Sequence, residues 1–320
     1  MRLAVLLSLV CAPALADVET ALSDHVLPGH ERLAQATEAL AETAAADCAP
    51  AAVRPAFHDA YDAWVAISHV QFGPIEETGL SLAMGFWPDP KDSTGKALAR
   101  LTADQDAIVD DRAAFGEVSA AAQGFTALER LLYDDQPEAD YACRLVRAVA
   151  TGLADKSQAL AEAWPDHAAL MRAAGDNDRY QSELEAQRAL FTALSTGLEF
   201  LHDQRLGRPL GTFDRPRPRR AEARRSGRSQ RHIQITLDAL EDLAFALADG
   251  DLPETRAAFA DARTRAAELD DPALEGVAEP ARRLRVETLQ RAVRDVQVAV
   301  IDEIGAPLGV TAGFNALDGD

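Results

Sequence analysis

The feature that most constrains the fold is the repeat of apolar residues at helical spacing along most of the chain. In the clearest stretches, apolar side chains recur three and four positions apart from Ile233 to Leu247 and from Leu289 to Val300. Residues at this spacing lie on one face of an α-helix, so each stripe predicts a helix that packs by one side. Alternating segments typical of strands are lacking, and the abundant alanine, leucine and glutamate favour helix. The sequence predicts an all-α protein.

The helical stretches fall into two groups. Residues 166–178 form the predicted linker, and each side of it holds about four long helices with short connections, which is the composition of a four-helix bundle. We therefore expect two four-helix-bundle-like domains, at 17–165 and 179–320. A chain of 320 residues is long enough for two domains of ordinary size.

Two segments break the helical pattern. Pro28 and Gly29 predict an interruption of the first long helix, because proline and glycine disfavour helix interiors. Residues 71–96 contain several glycines and three prolines, which predicts a long structured loop or a broken helix.

The first 16 residues have the pattern of a secretory signal peptide. Arg2 precedes a short apolar run, and the small-x-small sequence Ala-Leu-Ala at 14–16 is a cleavage site. The run is too short to cross a bilayer, and no later segment approaches the ~20 apolar residues that a transmembrane helix needs. We expect a periplasmic protein whose mature chain has no transmembrane segment.

Two cysteines remain after that cleavage, Cys48 and Cys143. In an oxidising compartment they are expected to form a disulfide, with two free buried thiols as the alternative. A redox or zinc-cluster role is disfavoured because there are only two.

The charge distribution is uneven. The net charge is −20, yet the segment 205–231 has ten arginines against Asp214 and Glu222, a local balance of +8. One interpretation is a surface loop that neutralises nearby acids. Another is an anion or carboxylate site formed by Arg225, Arg228 and Ser229, since the arginine side chain suits bidentate contacts. Nucleic acid is a poor partner for such an acidic chain.

Local catalytic motifs are missing from the sequence. There is no His-Glu-x-x-His, no Gly-x-Ser-x-Gly and no glycine-rich nucleotide motif, and none of the seven histidines is followed by glutamate three residues later. A conventional hydrolase or nucleotide-dependent enzyme is therefore disfavoured.

One acid stands out within the stretch 121–135. On a helix, Phe125, Leu128 and Leu132 form one apolar stripe and Glu129 lies at its edge. A carboxylate there must find hydrogen-bond donors or a cation, because burying it alone is costly. Its partner is either an arginine, such as Arg130 or one in the basic segment, or a ligand in a cleft.

The stretch 124–133, Gly-Phe-Thr-Ala-Leu-Glu-Arg-Leu-Leu-Tyr, resembles the Gly-x-His-x-x-Glu segment of imelysin-like proteins. That family includes the insulin-cleaving membrane peptidase, iron-regulated protein A and relatives of the iron-uptake component EfeO. Short stretches in matching order extend the resemblance over the mature chain, at 62–64, 72–74, 86–89, 208–211, 225–229 and 313–320. The resemblance implies an exported, all-helical protein with two bundle-like domains and a site in the cleft between them.

By this resemblance Gly124 and Glu129 match the family motif, whereas Thr126 stands where the family has histidine. Threonine is a poor ligand for zinc or iron and cannot act as a base near neutral pH. We therefore expect a protein that is not catalytic and that serves as an accessory or binding component of iron or other metal acquisition. The candidate cleft residues are Gly124, Thr126, Glu129, Arg225, Arg228, Ser229, Asn315, Asp318 and Asp320, and the candidate metal ligands are Glu129 and His69.

The expected ligand is a metal ion or a metal chelate, with iron or another divalent cation as the candidate cofactor and a membrane uptake component as the candidate partner. Acidic candidates would bind a hard cation, whereas the arginines would bind the carboxylates of a chelate or a partner. Two alternatives stay open. One is a metallopeptidase whose histidine and carboxylate come from distant positions, and the other is a scaffold whose basic 205–231 segment docks on an acidic surface.

Overall fold

The computed structural model describes residues 17–136, 138–248 and 250–310. Its α-helices are α1 (Val18–Thr20), α2 (Leu27–Ala46), α3 (Pro50–Ile67), α4 (Pro74–Thr78), α5 (Ser81–Met84), α6 (Ser93–Asp104), α7 (Arg112–Gly116), α8 (Gly124–Tyr133), α9 (Ala139–Arg172), α10 (Glu183–Glu199), α11 (Arg208–Leu210), α12 (Ser229–Leu247), α13 (Pro253–Ala267) and α14 (Pro280–Val300). The π-helical segments are Ala21–Val26, Phe200–Gly207 and Ile301–Gly305, and the 3-10 segments are Ala107–Asp110, Ala120–Ala122, Pro218–Arg220, Glu275–Ala278 and Ala306–Leu308. These residues include one isolated β-bridge and no strand, so the all-α prediction is confirmed.

The long helices pack as two groups of four. Helices α2, α3, α8 and α9 contact one another, and so do α10, α12, α13 and α14. The apolar stripes predicted from Ile233 to Leu247 and from Leu289 to Val300 are buried inside the second group. Burying these stripes is the main stabilisation of the fold, at roughly 25 cal/mol per Å² of apolar surface removed from water.

The two groups meet along α3 and α12, and the start of the described chain crosses this junction. The π-helical segment Ala21–Val26 packs on α12, and the backbone N–H of Asp17 donates to the carbonyl of Leu247 at 2.9 Å. Buried apolar residues of both groups form one continuous cluster. The junction is therefore part of the core.

The predicted interruption at Pro28 and Gly29 is wrong. The chain is helical without a break over 18–46, and Pro28 lies in the first turn of α2 directly after the π-helical segment. The wider turn shifts the hydrogen-bond register, so the helix accommodates a residue without an N–H. Gly29 serves close packing, since a Cβ there would lie 2.6 Å from Cδ1 of Ile67.

Helix α9 continues past Pro165 and ends at Arg172, so the first half of the predicted linker 166–178 is helical. The broken helix predicted over 71–96 is observed as the short helices α4 and α5, an irregular stretch and the start of α6. Within the described residues, no helix is both long enough and apolar enough to cross a membrane.

The predicted disulfide is present between Cys48 and Cys143, whose Cα atoms lie 5.3 Å apart. Cys48 precedes α3 and Cys143 lies near the start of α9, so the bond ties two helices of the first group together. It closes a loop with a sequence separation of 95, which stabilises the fold by roughly 4–5 kcal/mol in the loop-entropy account.

Candidate functional site

Gly124 begins α8 in a conformation that glycine adopts readily and other residues do not. Its φ is +75°, and a Cβ would lie 2.4 Å from the carbonyl oxygen of Met84 and 2.5 Å from that of Ala83. The end of α5 therefore presses directly on the first turn of α8. This contact fixes where α8 begins, and with it the direction in which Thr126 and Glu129 point.

The Glu129 carboxylate lies at the junction of the two helix groups and is only 3% exposed. One of its oxygens accepts hydrogen bonds from the backbone N–H of Ser226 at 2.9 Å and from the Ser226 hydroxyl at 2.8 Å. Ser226 belongs to the basic segment 205–231, so these bonds connect α8 to the second half of the chain. The ion pair considered for Glu129 with Arg130 is not formed, because Arg130 pairs with Asp92.

Burial sets the protonation behaviour of Glu129. Loss of water raises the pKa of this carboxyl above its ordinary value, since the charged form is the more strongly hydrated one. The two bonds from Ser226, followed by the charges of Arg225 and His232, lower the pKa but do not cancel the effect of burial.

A second buried acid, Glu222, lies close by and has a cationic partner. Arg205 donates from Nε to Glu222 at 2.7 Å and from a terminal nitrogen to the Thr236 hydroxyl at 2.9 Å. Nδ1 of His232 lies 3.2 Å from the same Glu222 oxygen. Burial raises the pKa of Glu222, but Arg205 and His232 outweigh it and lower that pKa to about 2. The pair is therefore a charge-compensated unit inside the junction.

Tyr61 of α3 joins the two acidic centres. Its ring stacks on Phe125 with centroids 4.8 Å apart, and it meets the His232 ring edge-on at 4.4 Å. Burial raises the pKa of Tyr61 well above its ordinary value, and the nearby carboxylates of Glu222 and Glu129 act in the same direction. Helices α3, α8 and α12 are thus locked together by one cluster of aromatic and polar side chains.

Thr126 occupies the position where the family motif has histidine, and its buried hydroxyl lies close to the Tyr61 hydroxyl. The donor set here does not fit a metal. A neutral hydroxyl is a weak ligand for zinc or iron, and Glu129 already accepts two bonds from Ser226. Within 17–136, 138–248 and 250–310, no group of three or more histidine, cysteine or acidic side chains is arranged to hold a metal ion.

The predicted arginines bind acids of the first helix group. Nε of Arg225 lies 2.8 Å from a carboxylate oxygen of Asp134, and Nε of Arg228 lies 3.1 Å from one of Asp62. Ser229 donates its hydroxyl hydrogen to a backbone carbonyl. Both arginines and the serine are therefore engaged in holding the basic segment in place.

His69 is buried at the end of α3 and pairs with another histidine. Its Nε2 lies 2.9 Å from Nε2 of His25, while its Nδ1 has no partner among the described residues. Burial, followed by the neighbouring histidines, lowers the pKa of His69 well below its ordinary value. The remaining candidates, Asn315, Asp318 and Asp320, lie outside the described residues.

A cleft of about 470 Å³ opens between the two helix groups. The first half of the chain contributes Trp64, His69 and Trp87 to its wall. The second half contributes residues from the end of α10 and from the π-helical segment Phe200–Gly207, namely Thr196, Gly197, Glu199, Phe200, Asp203, Gln204 and Arg205. Trp87 and Phe200 meet edge to face across it, with centroids 5.7 Å apart. Among the residues that line the wall are also Val65, Ser68, Gln71, Ser81, Leu82, Gly85, Glu222 and Thr236. Glu129 is not among them.

The charge of the cleft comes from two acids. Arg205 and Glu222 both line the wall and compensate each other, which leaves Glu199 and Asp203. These two are four residues apart and so lie on one helix face. Burial and then the charge of Asp203 raise the pKa of Glu199, and Asp203 is 2.6 Å from Nδ1 of His202.

The sequence interpretation did not select Glu199 and Asp203. Their spacing of four on a predicted helix, with His202 between them, is a signal that could have identified an acidic face. Trp64 and Trp87 entered only as parts of the resemblance at 62–64 and 86–89. The π-helical turns bring these residues together, and no residue pattern in the sequence predicts such turns.

Comparison with known proteins agrees with this architecture. The model of the imelysin family (Peptidase M75) matches residues 26–300. The crystal structure of an imelysin-like protein from Psychrobacter arcticum 273-4 is similar with a TM-score of 0.75 and 19% identity, covering 95% of this chain and 100% of that chain. A structure from Parabacteroides distasonis ATCC 8503, assigned as an iron-regulated protein A precursor, is similar with a TM-score of 0.76 and 13% identity, covering 93% and 97%.

At these sequence identities, the similarity to the two solved structures supports the fold alone. A comparison with curated proteins finds no match. The family model, however, spans most of the chain, including α8 and both helix groups. This protein belongs to the imelysin family.

Proposed function

We propose that this imelysin is a non-catalytic binding protein whose cleft between the helix groups takes a positively charged small ligand. The ligand class that fits best is a metal ion that arrives with ligands of its own, as in the uptake of iron or another metal. The observation that carries the proposal is the pair of acids Glu199 and Asp203, which lies beside an aromatic wall of the cleft. Among the described residues, no arginine or lysine lies within 4.0 Å of either carboxylate to neutralise its charge.

The arginines favour a cation over an anionic chelate. Of the arginines predicted to receive a carboxylate, Arg225 binds Asp134 and Arg228 binds Asp62, and Arg205 in the cleft wall binds Glu222. None of them is free for a ligand without breaking a bond. The acids of the cleft have no arginine or lysine within 4.0 Å among the described residues, although Asp203 contacts His202. The rings of Trp64 and Trp87 supply faces that attract a cation, whereas the Phe200 ring already has the Arg205 guanidinium over it.

The composition of the cleft also favours a metal complex over a bare ion. Two carboxylates provide too few protein ligands for a hard cation, which takes six or more oxygen ligands. A volume of about 470 Å³ has room for further ligands that the cation would bring with it.

The proposal includes export to the periplasm. The signal-peptide pattern at 1–16 supports it, and a disulfide between Cys48 and Cys143 is typical of proteins in an oxidising compartment. The name of the relative from Parabacteroides distasonis supports iron as the first metal to test.

Titration of the purified protein by calorimetry and by tryptophan fluorescence tests the proposal, because Trp64 and Trp87 line the cleft. The probes are ferrous, ferric, zinc and cupric salts, with ferric citrate as an anionic chelate. We expect saturable binding of at least one cation with a change in fluorescence, and no binding of ferric citrate. The double variant Glu199→Gln/Asp203→Asn should lower the affinity by about tenfold for each charge removed.

A matched control is Glu38→Gln/Glu42→Gln, since these acids are also four apart on a helix and are exposed on α2. This control should bind as the wild type does. Binding of ferric citrate in preference to the cations, or an unchanged affinity in the cleft variant, would overturn the proposal. Zinc-dependent cleavage of a denatured protein that Glu129→Ala abolishes would establish the metallopeptidase alternative instead.

A further inference from the structure

Eight of the ten arginines of the segment 205–231 divide into two sets, and the other two, Arg208 and Arg224, are half-buried. Arg205, Arg225, Arg228 and Arg231 bind acids, and these contacts hold the segment on the protein. A second set has no carboxylate within 4.0 Å among the described residues and is exposed to solvent. This set comprises Arg215, Arg217, Arg219 and Arg220, and together with Phe213 we call it the arginine platform.

The platform has a defined backbone. Residues 212–215 form a tight turn closed by the N–H of Arg215 donating to the carbonyl of Thr212 at 3.0 Å. The N–H of Arg217 donates to the carbonyl of Pro209 at 2.8 Å, and Pro218 begins a 3-10 turn through Arg220. These bonds fix the backbone that carries the four arginines, so their charges stay close together.

Phe213 lies at the tip of this turn and is 73% exposed, the largest exposure among the big apolar side chains described. The guanidinium of Arg283 lies 5.8 Å from its ring centroid and supports the ring from the protein side. Its chain neighbours Thr212 and Asp214 are exposed and polar, and the Arg283 guanidinium lies beside the ring. A lone aromatic ring surrounded by charges lacks the desolvated apolar centre of a protein–protein interface.

The charge of the platform contrasts with that of the whole chain. Four arginines and Asp214 give a local balance of +3, in a protein whose net charge is −20. Arg208 lies nearby, since its pKa is lowered first by burial and then by the charge of Arg220. These arginines repel one another and have no compensating carboxylate close by, so the surface that they form attracts an anion.

We propose that the arginine platform docks this protein on an anionic lipid surface, with the arginines on headgroup phosphates and Phe213 in the boundary of the acyl chains. Arginine binds phosphate through a planar set of donors, and an aromatic side chain beside a basic cluster is the usual second element of such a contact. Since the rest of the chain is acidic, only this face approaches an anionic surface, and the contact orients the molecule. The inference is independent of the proposed function of the cleft.

Vesicle co-sedimentation of the intact protein tests the inference, with phosphatidylcholine vesicles that contain or lack phosphatidylglycerol. We expect binding only to the anionic vesicles, weakened by added salt. The variant Arg217→Gln/Arg219→Gln/Arg220→Gln should lose on the order of 100-fold in affinity, at about fivefold for each arginine. The control Arg100→Gln/Arg285→Gln/Arg291→Gln makes the same change in net charge at exposed positions outside the platform and should bind as the wild type does.

Insertion of the ring has its own readout. A Phe213→Trp variant should show a blue shift of tryptophan emission with anionic vesicles, and Phe213→Ala should bind them more weakly than the wild type. Equal binding to both kinds of vesicle, or equal loss in the control variant, would overturn the inference. Arginine-dependent binding to polyglutamate or to a second copy of the chain, without binding to vesicles, would overturn it in favour of an acidic protein partner.

Discussion

At the scale of a single residue, the role of Glu129 is defined by its hydrogen bond with Ser226, which lies 97 positions away in the chain. Both donors of Ser226 point at one carboxylate oxygen, and the side chain is buried. A carboxylate in this situation connects two parts of a protein. Its pKa is raised by burial, so folding favours its protonated form.

The substitution Glu129→Gln keeps an acceptor for both donors and removes the charge. Because the folded pKa is raised, the charged carboxyl lowers stability as the pH rises from below its ordinary pKa through the raised folded value. We therefore expect Glu129→Gln to be at least as stable as the wild type near neutral pH, with a flatter pH dependence. Glu129→Ala removes the acceptor of the Ser226 N–H, while the Ser226 hydroxyl keeps the Ala223 carbonyl at 3.0 Å, and the variant should lose about 1–3 kcal/mol.

Thermal unfolding measured over a series of pH values checks this pair of variants. Ser226→Ala serves as the control, because it removes only one of the two donors and should fall between them. A Glu129→Gln variant that unfolds as easily as Glu129→Ala would contradict the structural role described here.

At this scale the sequence predicted part of the site. The helical spacing of the apolar residues predicted the buried stripe of Phe125 and Leu128, and it predicted the position of Glu129 at the edge of that stripe. The partner could not be predicted, because Ser226 is distant in the chain and many arginines around it offered a stronger electrostatic signal. The cost of desolvation determines which acids the arginines pair with, since Arg228 and Arg225 bind Asp62 and Asp134, which are more exposed than Glu129.

At the scale of elements, α8 depends on the glycine that begins it. The backbone of α5 occupies the space where a side chain at position 124 would lie, and φ at Gly124 is positive. The sequence predicted the helix and its buried face, but the positive φ follows from the approach of Met84, which is a tertiary contact. The π-helical turns at Ala21–Val26 and Phe200–Gly207 were likewise beyond prediction from residue spacing.

Gly124→Ala should destabilise the protein by at least ~2 kcal/mol, because the Cβ meets backbone atoms and the left-handed conformation is unfavourable for alanine. Gly116→Ala is a matched control, since that glycine ends α7 and has open space where a Cβ would lie. It should be neutral or slightly stabilising. Denaturant unfolding of both variants gives the comparison, and equal stability of the two would show that the approach of α5 does not constrain α8.

At the scale of the whole molecule, two helix groups share one core, and a cleft with a net negative wall opens between them. The all-α fold, the two groups of four helices and the disulfide were predicted from the sequence, because each depends on local periodicity or composition. The cleft was not predicted in detail, because its wall combines residues from α3, the stretch after α5 and the end of α10. Such convergence is set by packing between groups.

Anomalous diffraction from crystals soaked in the best-binding metal cation tests the central claim most directly, since it locates the metal without assumptions about its ligands. The account predicts an anomalous peak in the cleft, beside Glu199 and Asp203 and in front of Trp87. A peak at Thr126 and Glu129, which do not line the cleft, or no peak in a crystal of protein that binds the metal in solution, would contradict it.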